Sequence, residues 1–466
     1  MAQHPATLGE LRQSEYRVVP IKAELRRNLV RKLSAGETLF PGIRGYDDSV
    51  IPQLENAILA GQDIVILGER GQAKSRLIRS LTLLLDPALP VIAGCEINDN
   101  PYEPICRRCR DLIASQGDAT PVTWLEPEQR YSEKLATPDT SIADLIGEVD
   151  PIRVAEGRYL SDELTIHYGL IPRTNRAIFA INELPDLAER IQVGLLNIIE
   201  ERDVQIRGYR LRLPLDVFVV ATANPEDYTN RGRIITPLKD RFGAQVRTHY
   251  PRTVDDEIAI AEQERTVFDD MPVPVIVPGF MKEIVAELSH VARRHAQVNQ
   301  RSGVSVRVST ANYENLVSNA LRRALTTGDR EAVSRISDMP ALMSSTAGKI
   351  ELETWEDTDD QSVLDKLMKT ATNNVFRRHF TVQEFSDLVQ RFDRGGFTVE
   401  VGDRLPGRAY RQALAELKGL DRARQKLDEP DSEAMRIAVL EFVLEGLHLG
   451  KRLNKTSLEG SSVYGG

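Results

Sequence analysis

The 466-residue sequence has no stretch long and apolar enough to cross a bilayer as a helix. The opening run Met1-Ala2-Gln3-His4-Pro5 has no basic segment leading into an apolar one, so no secretory leader is read there. Cysteine is scarce: three residues in so long a chain exclude a disulfide scaffold. An excess of positive charge is also missing, and a formal net charge of −9 argues against a general nucleic-acid footprint. These absences predict a cytoplasmic protein. The length is more than one hydrophobic core serves, so two or three domains are expected.

Three short apolar runs read as buried parallel strands: residues 63–67, 177–181 and 216–222. Around them the spacing is helical. Val50, Leu54, Ala57 and Ile58 share a helix face that Gly61 closes, and Leu187, Ile191, Leu195 and Ile198 form another. Residues 91–93 suggest a further strand, and residues 204–213 a hairpin around Arg207-Gly208-Tyr209. The stretch 94–175 is irregular and reads as insertions and short hairpins. Beyond Pro251 the pattern is helical, and the last residues, 457–466, are rich in Gly and Ser and read as flexible.

Between the first strand and a helix lies Gly68-Glu69-Arg70-Gly71-Gln72-Ala73-Lys74-Ser75. A strand, a glycine-bearing turn and a helix N-terminus are what a phosphate-binding loop needs. Backbone N–H groups wrap a phosphate, and the helix dipole adds to them. Lys74 then supplies charge to the β- and γ-phosphates, and the Ser75 hydroxyl ligates Mg²⁺. Ala73 stands where the general pattern has Gly. A chance strand-turn-helix containing Lys-Ser is the plain alternative.

The second strand runs into Asn182-Glu183. A carboxylate there polarises an attacking water as general base, the role read for Glu183. Asn182 stands where a Mg²⁺-assisting Asp is usual, and reaches the ion only through a bound water. The third strand runs into Asn224, placed to position that water. Arg241 follows a short apolar turn and is the candidate to reach a neighbour's γ-phosphate, with Arg231 and Arg233 as rivals. Arg307 is a candidate second phosphate sensor. Each of these arginines, taken alone, also reads as an ordinary surface residue.

Cys106-Arg107-Arg108-Cys109, with Cys95 upstream, leaves two readings open. Three thiolates hold Zn²⁺ if a fourth ligand comes from elsewhere. Arg107, Arg108 and Arg110 alternatively lower thiol pKa values, as in a redox switch. No fourth ligand is evident in sequence; His167 is the nearest downstream histidine, and nothing ties it to the cysteines.

Together the loop, Asn182-Glu183, Asn224 and Asp240-Arg241-Phe242-Gly243 resemble the AAA+ branch that holds the magnesium chelatase I subunit and the MoxR-type ATPases. The Ala73-Lys74 loop is similar to MoxR-type loops. Ala136-Thr137-Pro138-Asp139 and the run from Gly169 through Ile178 look like the chelatase motor. The resemblance implies an α/β P-loop core, a parallel αβα sandwich, followed by a helical lid and further C-terminal helices. The corresponding boundaries are a lead-in at 1–40, the core at 41–255 with a Cys-containing insertion at about 94–135, the lid at 256–350, C-terminal helices at 351–456 and the tail at 457–466. It further implies ATP and Mg²⁺ as cofactors, Asn224 as sensor 1, Arg241 as an arginine finger acting in trans, and Arg307 as sensor 2. A homo-oligomeric ring, a hexamer, and a partner with a von Willebrand A domain are implied as well. Three functions fit these features: a motor that remodels a partner protein, the motor subunit of a true magnesium chelatase, and a nucleotide-binding scaffold with weak turnover. A σ54-contacting activator ranks low, because its Gly-Ala-Phe-Thr-Gly-Ala loop is missing.

Overall fold

The computed structural model describes residues 4–150, 163–201, 203–205, 212–224, 232–353, 359–394, 396–417, 419–458 and 460–466. The chain divides into two units, Met1–His249 and Tyr250–Gly466.

The first unit is built on five strands: β1 (Ile64–Leu67), β2 (Tyr131–Leu135), β3 (Ala177–Asn182), β4 (Val217–Ala223) and β5 (Ala244–Arg247). They lie in the order β5-β1-β4-β3-β2, and every pairing is parallel. The three inner strands are buried along their whole length. Burial on both faces is why their sequences are continuous apolar runs rather than alternating ones. The two edge strands escaped the sequence reading. β2, Tyr-Ser-Glu-Lys-Leu, lies within the stretch taken as insertions, and β5 reads Ala-Gln-Val-Arg; both are largely half-exposed or exposed. An edge strand needs no continuous apolar run, so its sequence gives little signal.

The strand expected near residues 91–93 exists as Leu89–Ile92, but it pairs antiparallel with Val122–Leu125, outside the main sheet. A second small hairpin joins Gly147–Val149 to Ile166–Tyr168. Asp203–Gln205 pairs with Arg212–Pro214; the turn expected at Arg207-Gly208-Tyr209 lies outside the described residues.

Three helices contact the sheet or one another beside it: α1 (Ile21–Ala35), α2 (Val50–Leu59) and α3 (Lys74–Ser80). Gly61, at φ 66°, follows α2. The segment expected as a lead-in is instead part of the core. Ile21, Leu25 and Leu29 of α1 share one buried cluster with Val50, Leu54 and Ile58 of α2 and with Ile64 and Ile66 of β1. Polar groups lock the same contact. Arg130, just before β2, donates from both guanidinium arms to Glu24 of α1 at 2.7 Å each, and both side chains are 1% exposed. Glu24 also accepts the Asp86 N–H at 2.6 Å, and Arg130 donates to the Arg176 carbonyl ahead of β3.

The second unit is largely helical. Phe280, in the helix Gly279–Ala292, stacks on Phe442, in the helix Glu433–Leu449, with ring centroids 4.5 Å apart. A single buried cluster runs from Phe280 to Tyr464. Residues expected as a separate lid and a C-terminal region thus share a core. The tail expected as flexible is also ordered. Ser461–Gly465 pairs with Asn454–Leu458 and with Val399–Val401. Its Tyr464 is fully buried and donates to Glu445. One buried aromatic and two ladders of backbone hydrogen bonds outweigh the glycine-rich composition. Among the described residues, no helix is long and apolar enough to cross a membrane.

Removing one member of a buried ion pair leaves the other charge uncompensated. Glu24→Ala is therefore expected to lower unfolding free energy by about 3–5 kcal/mol in urea denaturation. Arg12→Ala, which breaks an exposed pair with Asp118, should leave the midpoint nearly unchanged.

Candidate functional site

β1 ends at Leu67, and the chain turns through Gly68 to Ala73 before α3 begins. Gly71 has φ 75° and Ala73 φ 55°. The left-handed region costs glycine nothing, whereas the Ala73 methyl carries strain of about 1–2 kcal/mol. At Gly68 a Cβ would collide with Thr248 Oγ1 and Gln72 Oε1, so any side chain there would displace the Thr248–Gln72 hydrogen bond. Gln72 Oε1 accepts the Glu69 N–H at 3.0 Å and the Thr248 hydroxyl at 2.7 Å, which pins the loop to the segment after β5. The Tyr46 hydroxyl lies 3.0 Å from the Gln72 carbonyl and 2.8 Å from that of His249. Burial pushes its pKa up to about 12, so it remains a donor.

Lys74 is buried, and its ammonium donates to the carbonyls of Gly68 at 2.5 Å and Glu69 at 2.9 Å and to Asn224 Oδ1 at 2.5 Å. Asn224 follows β4, and its Nδ2 donates to Glu183 Oε2 at 2.7 Å. Glu183 follows β3 in the left-handed region, at φ 56° and ψ 48°. Its N–H donates to Thr222 Oγ1 at 3.0 Å, which secures that unusual backbone. Lys74, Asn224 and Glu183 thus form one hydrogen-bonded chain at the carboxyl edge of the sheet. The parallel register makes this unavoidable, since Leu67 is level with Ala223 and Ala221 with Ile181.

Asn182 is buried beside them. Its Oδ1 accepts from Thr222 at 3.2 Å, and its Nδ2 donates to Glu133 of β2. Glu133 also accepts from Arg79 of α3 at 2.8 and 3.1 Å and from the Tyr131 hydroxyl at 3.1 Å. Burial opposes ionisation of Glu133, but the hydrogen bonds from Arg79, Tyr131 and Asn182 outweigh it and hold its carboxyl below the ordinary range. The sequence reading missed Glu133, because only the β2–β3 pairing, with Leu135 level with Asn182, brings it there.

A cavity of about 380 Å³ beside the loop is lined by Gly68, Glu69, Gln72, Lys239, Arg247 and Thr248. Ser75 and Arg70 are exposed, Ser75 in the first turn of α3. A glycine-bearing turn followed by a helix N-terminus and a buried ammonium suits a phosphate group; the cavity's lining does not include Lys74. Arg241 ends the short helix Thr236–Arg241, where it donates to Glu200 and to the Pro237 carbonyl. Arg233 is exposed, 3.9 Å from Glu189, and Arg231 lies outside the described residues. Arg307 is exposed and opens the helix Arg307–Thr327 of the second unit. The three cysteines cluster with Asp99, apart from the Lys74–Asn224–Glu183 chain.

Ala73→Gly should raise stability by about 1 kcal/mol in denaturant titration, because relief of the left-handed strain exceeds the added chain entropy. Glu133 gives a pH dependence. A carboxyl held below its ordinary pKa contributes stability above a pH of about 4.3, and that contribution is lost as pH falls through the lowered value. Acid denaturation of Glu133→Gln should lack this component and be shallower than that of the wild type.

No protein-family profile matches the chain. Individual relatives do. The magnesium-chelatase subunit ChlI of Synechocystis is 28% identical over 242 residues, 50% of this chain and 63% of the relative. The chloroplastic ChlI of Nicotiana tabacum is 27% identical over 253 residues, 53% of this chain and 55% of the relative. The chain thus spans less than two thirds of the length of these relatives. Among solved structures, a chain of the BchI–BchD complex of magnesium chelatase aligns over 70% of this chain and 98% of its own, with 19% identity. Its TM-score to this chain is 0.36. Over about half its length, this chain is thus similar in sequence to magnesium-chelatase I subunits.

Proposed function

We propose that the protein is a Mg-ATP-dependent AAA+ motor that assembles as a ring and remodels or activates a partner protein. The observation that carries this reading is the hydrogen-bonded chain Lys74–Asn224–Glu183 at the end of three parallel strands. Residues 68–75 would hold the phosphates, with Lys74 giving up its carbonyl and amide partners to phosphate oxygens. Ser75 would ligate Mg²⁺, and Asn182 would meet the ion through a water. Bound Mg²⁺ supplies charge neutralisation during phosphoryl transfer. Glu183, positioned by Asn224, takes the proton of the attacking water. Arg241, presented by a neighbouring copy, would stabilise developing charge, and Arg307 would sense the γ-phosphate. A hexameric ring and a partner carrying a von Willebrand A domain complete the proposal. The relatives are named as chelatase subunits, so insertion of Mg²⁺ into a porphyrin by such a partner complex is the narrower version of it.

A scaffold that binds nucleotide and scarcely turns over is the second reading. It is favoured by Asn182, an uncharged amide whose two ends are already engaged by Thr222 and Glu133.

Mg-dependent ATP hydrolysis by the purified protein separates the two. The motor reading expects steady turnover that falls by about 100-fold or more in both Lys74→Ala and Glu183→Gln. It expects Glu183→Gln to keep nucleotide affinity and Lys74→Ala to lose it. ATP binding without hydrolysis, with and without an added partner, establishes the scaffold instead.

A further inference from the structure

Cys95 sits in the turn after Leu89–Ile92. Cys106 caps the helix Arg107–Gln116 and Cys109 stands in its first turn. Their sulfurs and a carboxylate oxygen of Asp99 all lie within 4.8 Å of one another. Asp99 and Cys109 are 0% exposed and Cys106 is 4% exposed. Tetrahedral zinc, with bonds of about 2.3 Å to sulfur, needs sulfurs about 3.8 Å apart. Side-chain adjustment of about 1 Å or less closes the cluster to that size.

Three further observations point to a cation. Asp99 Oδ1 is buried with no hydrogen-bond partner, while Oδ2 accepts the Cys106 N–H at 3.0 Å. A buried carboxylate oxygen left without a partner is costly, and a metal ion removes that cost. Backbone amides are also aimed at sulfur: Asp99 N–H at Cys95 and Cys109 N–H at Cys106, each at 3.4 Å. Such donors favour the thiolate, the form that binds metal. Finally, the neighbouring arginines engage other groups. Arg108 donates to the Gly94 carbonyl, Arg110 pairs with Glu163 at 3.1 Å and Arg107 with Asp111 at 3.6 Å.

We propose that Cys95, Asp99, Cys106 and Cys109 form a zinc site. Four protein ligands leave no open position, so the site is structural rather than catalytic. Binding releases the thiol protons to solvent. The metal would join the turn after Leu89–Ile92 to the helix Arg107–Gln116. That junction supports the approach to β3: Asn175 donates to the Ile97 carbonyl at 3.1 Å and Asn98 to the Arg173 carbonyl at 2.9 Å. β3 in turn ends at Asn182, and Glu183 follows it. None of these four ligands belongs to the phosphate loop or to the Lys74–Asn224–Glu183 chain, so zinc binding does not depend on ATP hydrolysis.

The test uses the full-length protein, purified under reducing conditions without chelator. Elemental analysis is expected to find one zinc per chain. Chelator-stripped protein titrated anaerobically with Co²⁺ should develop the visible bands of tetrahedral thiolate-bound cobalt, and one equivalent of Zn²⁺ should bleach them. Asp99→Asn should weaken cobalt binding by about tenfold or more while keeping sulfur-to-metal absorption. Since Cys106→Ser is liable to misfold, the wild-type cobalt titration decides the matter. A reduced protein that contains no zinc and gives no tetrahedral cobalt spectrum overturns the proposal. So does a Cys106–Cys109 disulfide that, once reduced, still takes up no metal. Unchanged affinity in Asp99→Asn removes Asp99 as the fourth ligand.

Discussion

Parallel pairing of β1, β4 and β3 places three carboxyl ends side by side, and the candidate site depends on that alignment. Each strand hands over to one polar residue or loop within a residue or two of its last ladder position. A shift of one residue in either pairing would turn Asn224 or Glu183 to the opposite face of the sheet. The inner strands resist such a shift because both of their faces are buried. The polar chain at the edge is therefore held in place by an apolar constraint beneath it.

The same edge is held from outside by groups that take no part in the chemistry proposed. Gln72, Thr248 and Tyr46 fix the loop to the segment after β5. Arg79 links α3 to Glu133, and Glu133 links β2 to Asn182. At the opposite, amino-terminal edge of the sheet, the Glu24–Arg130 pair ties α1 to the approach to β2 and, through the Arg176 carbonyl, to the start of β3. A rigid loop with a strained Ala73 and a left-handed Glu183 is sustainable only because so many neighbours determine its backbone.

What was legible in the sequence follows from how strongly each element is buried. The inner strands were readable because burial on both faces demands an unbroken apolar run. The loop was readable because positive φ and close approach call for glycine at Gly68 and Gly71. β2 and β5 were not, since edge strands tolerate residues such as Glu133, Lys134 and Arg247. The tail misled for the opposite reason: composition is an average, while Tyr464 alone supplies the contact that orders Ser461–Gly465. The lead-in at 1–40 misled because its many charged residues read as exposed, though Leu25 and Leu29 bury one face of α1.

The sequence by itself determined the chemistry on offer: a phosphate-type loop with Lys74 and Ser75, a base candidate in Glu183, a polar Asn224 and three thiols. These are local matters, settled by residue type and by neighbours in the chain. Tertiary structure alone decided which of them meet. It joined Lys74, Asn224 and Glu183, brought Glu133 to Asn182, and gathered Asp99 with three cysteines. Such meetings rest on strand register and long-range packing, and a linear spacing does not encode which distant residues share a register.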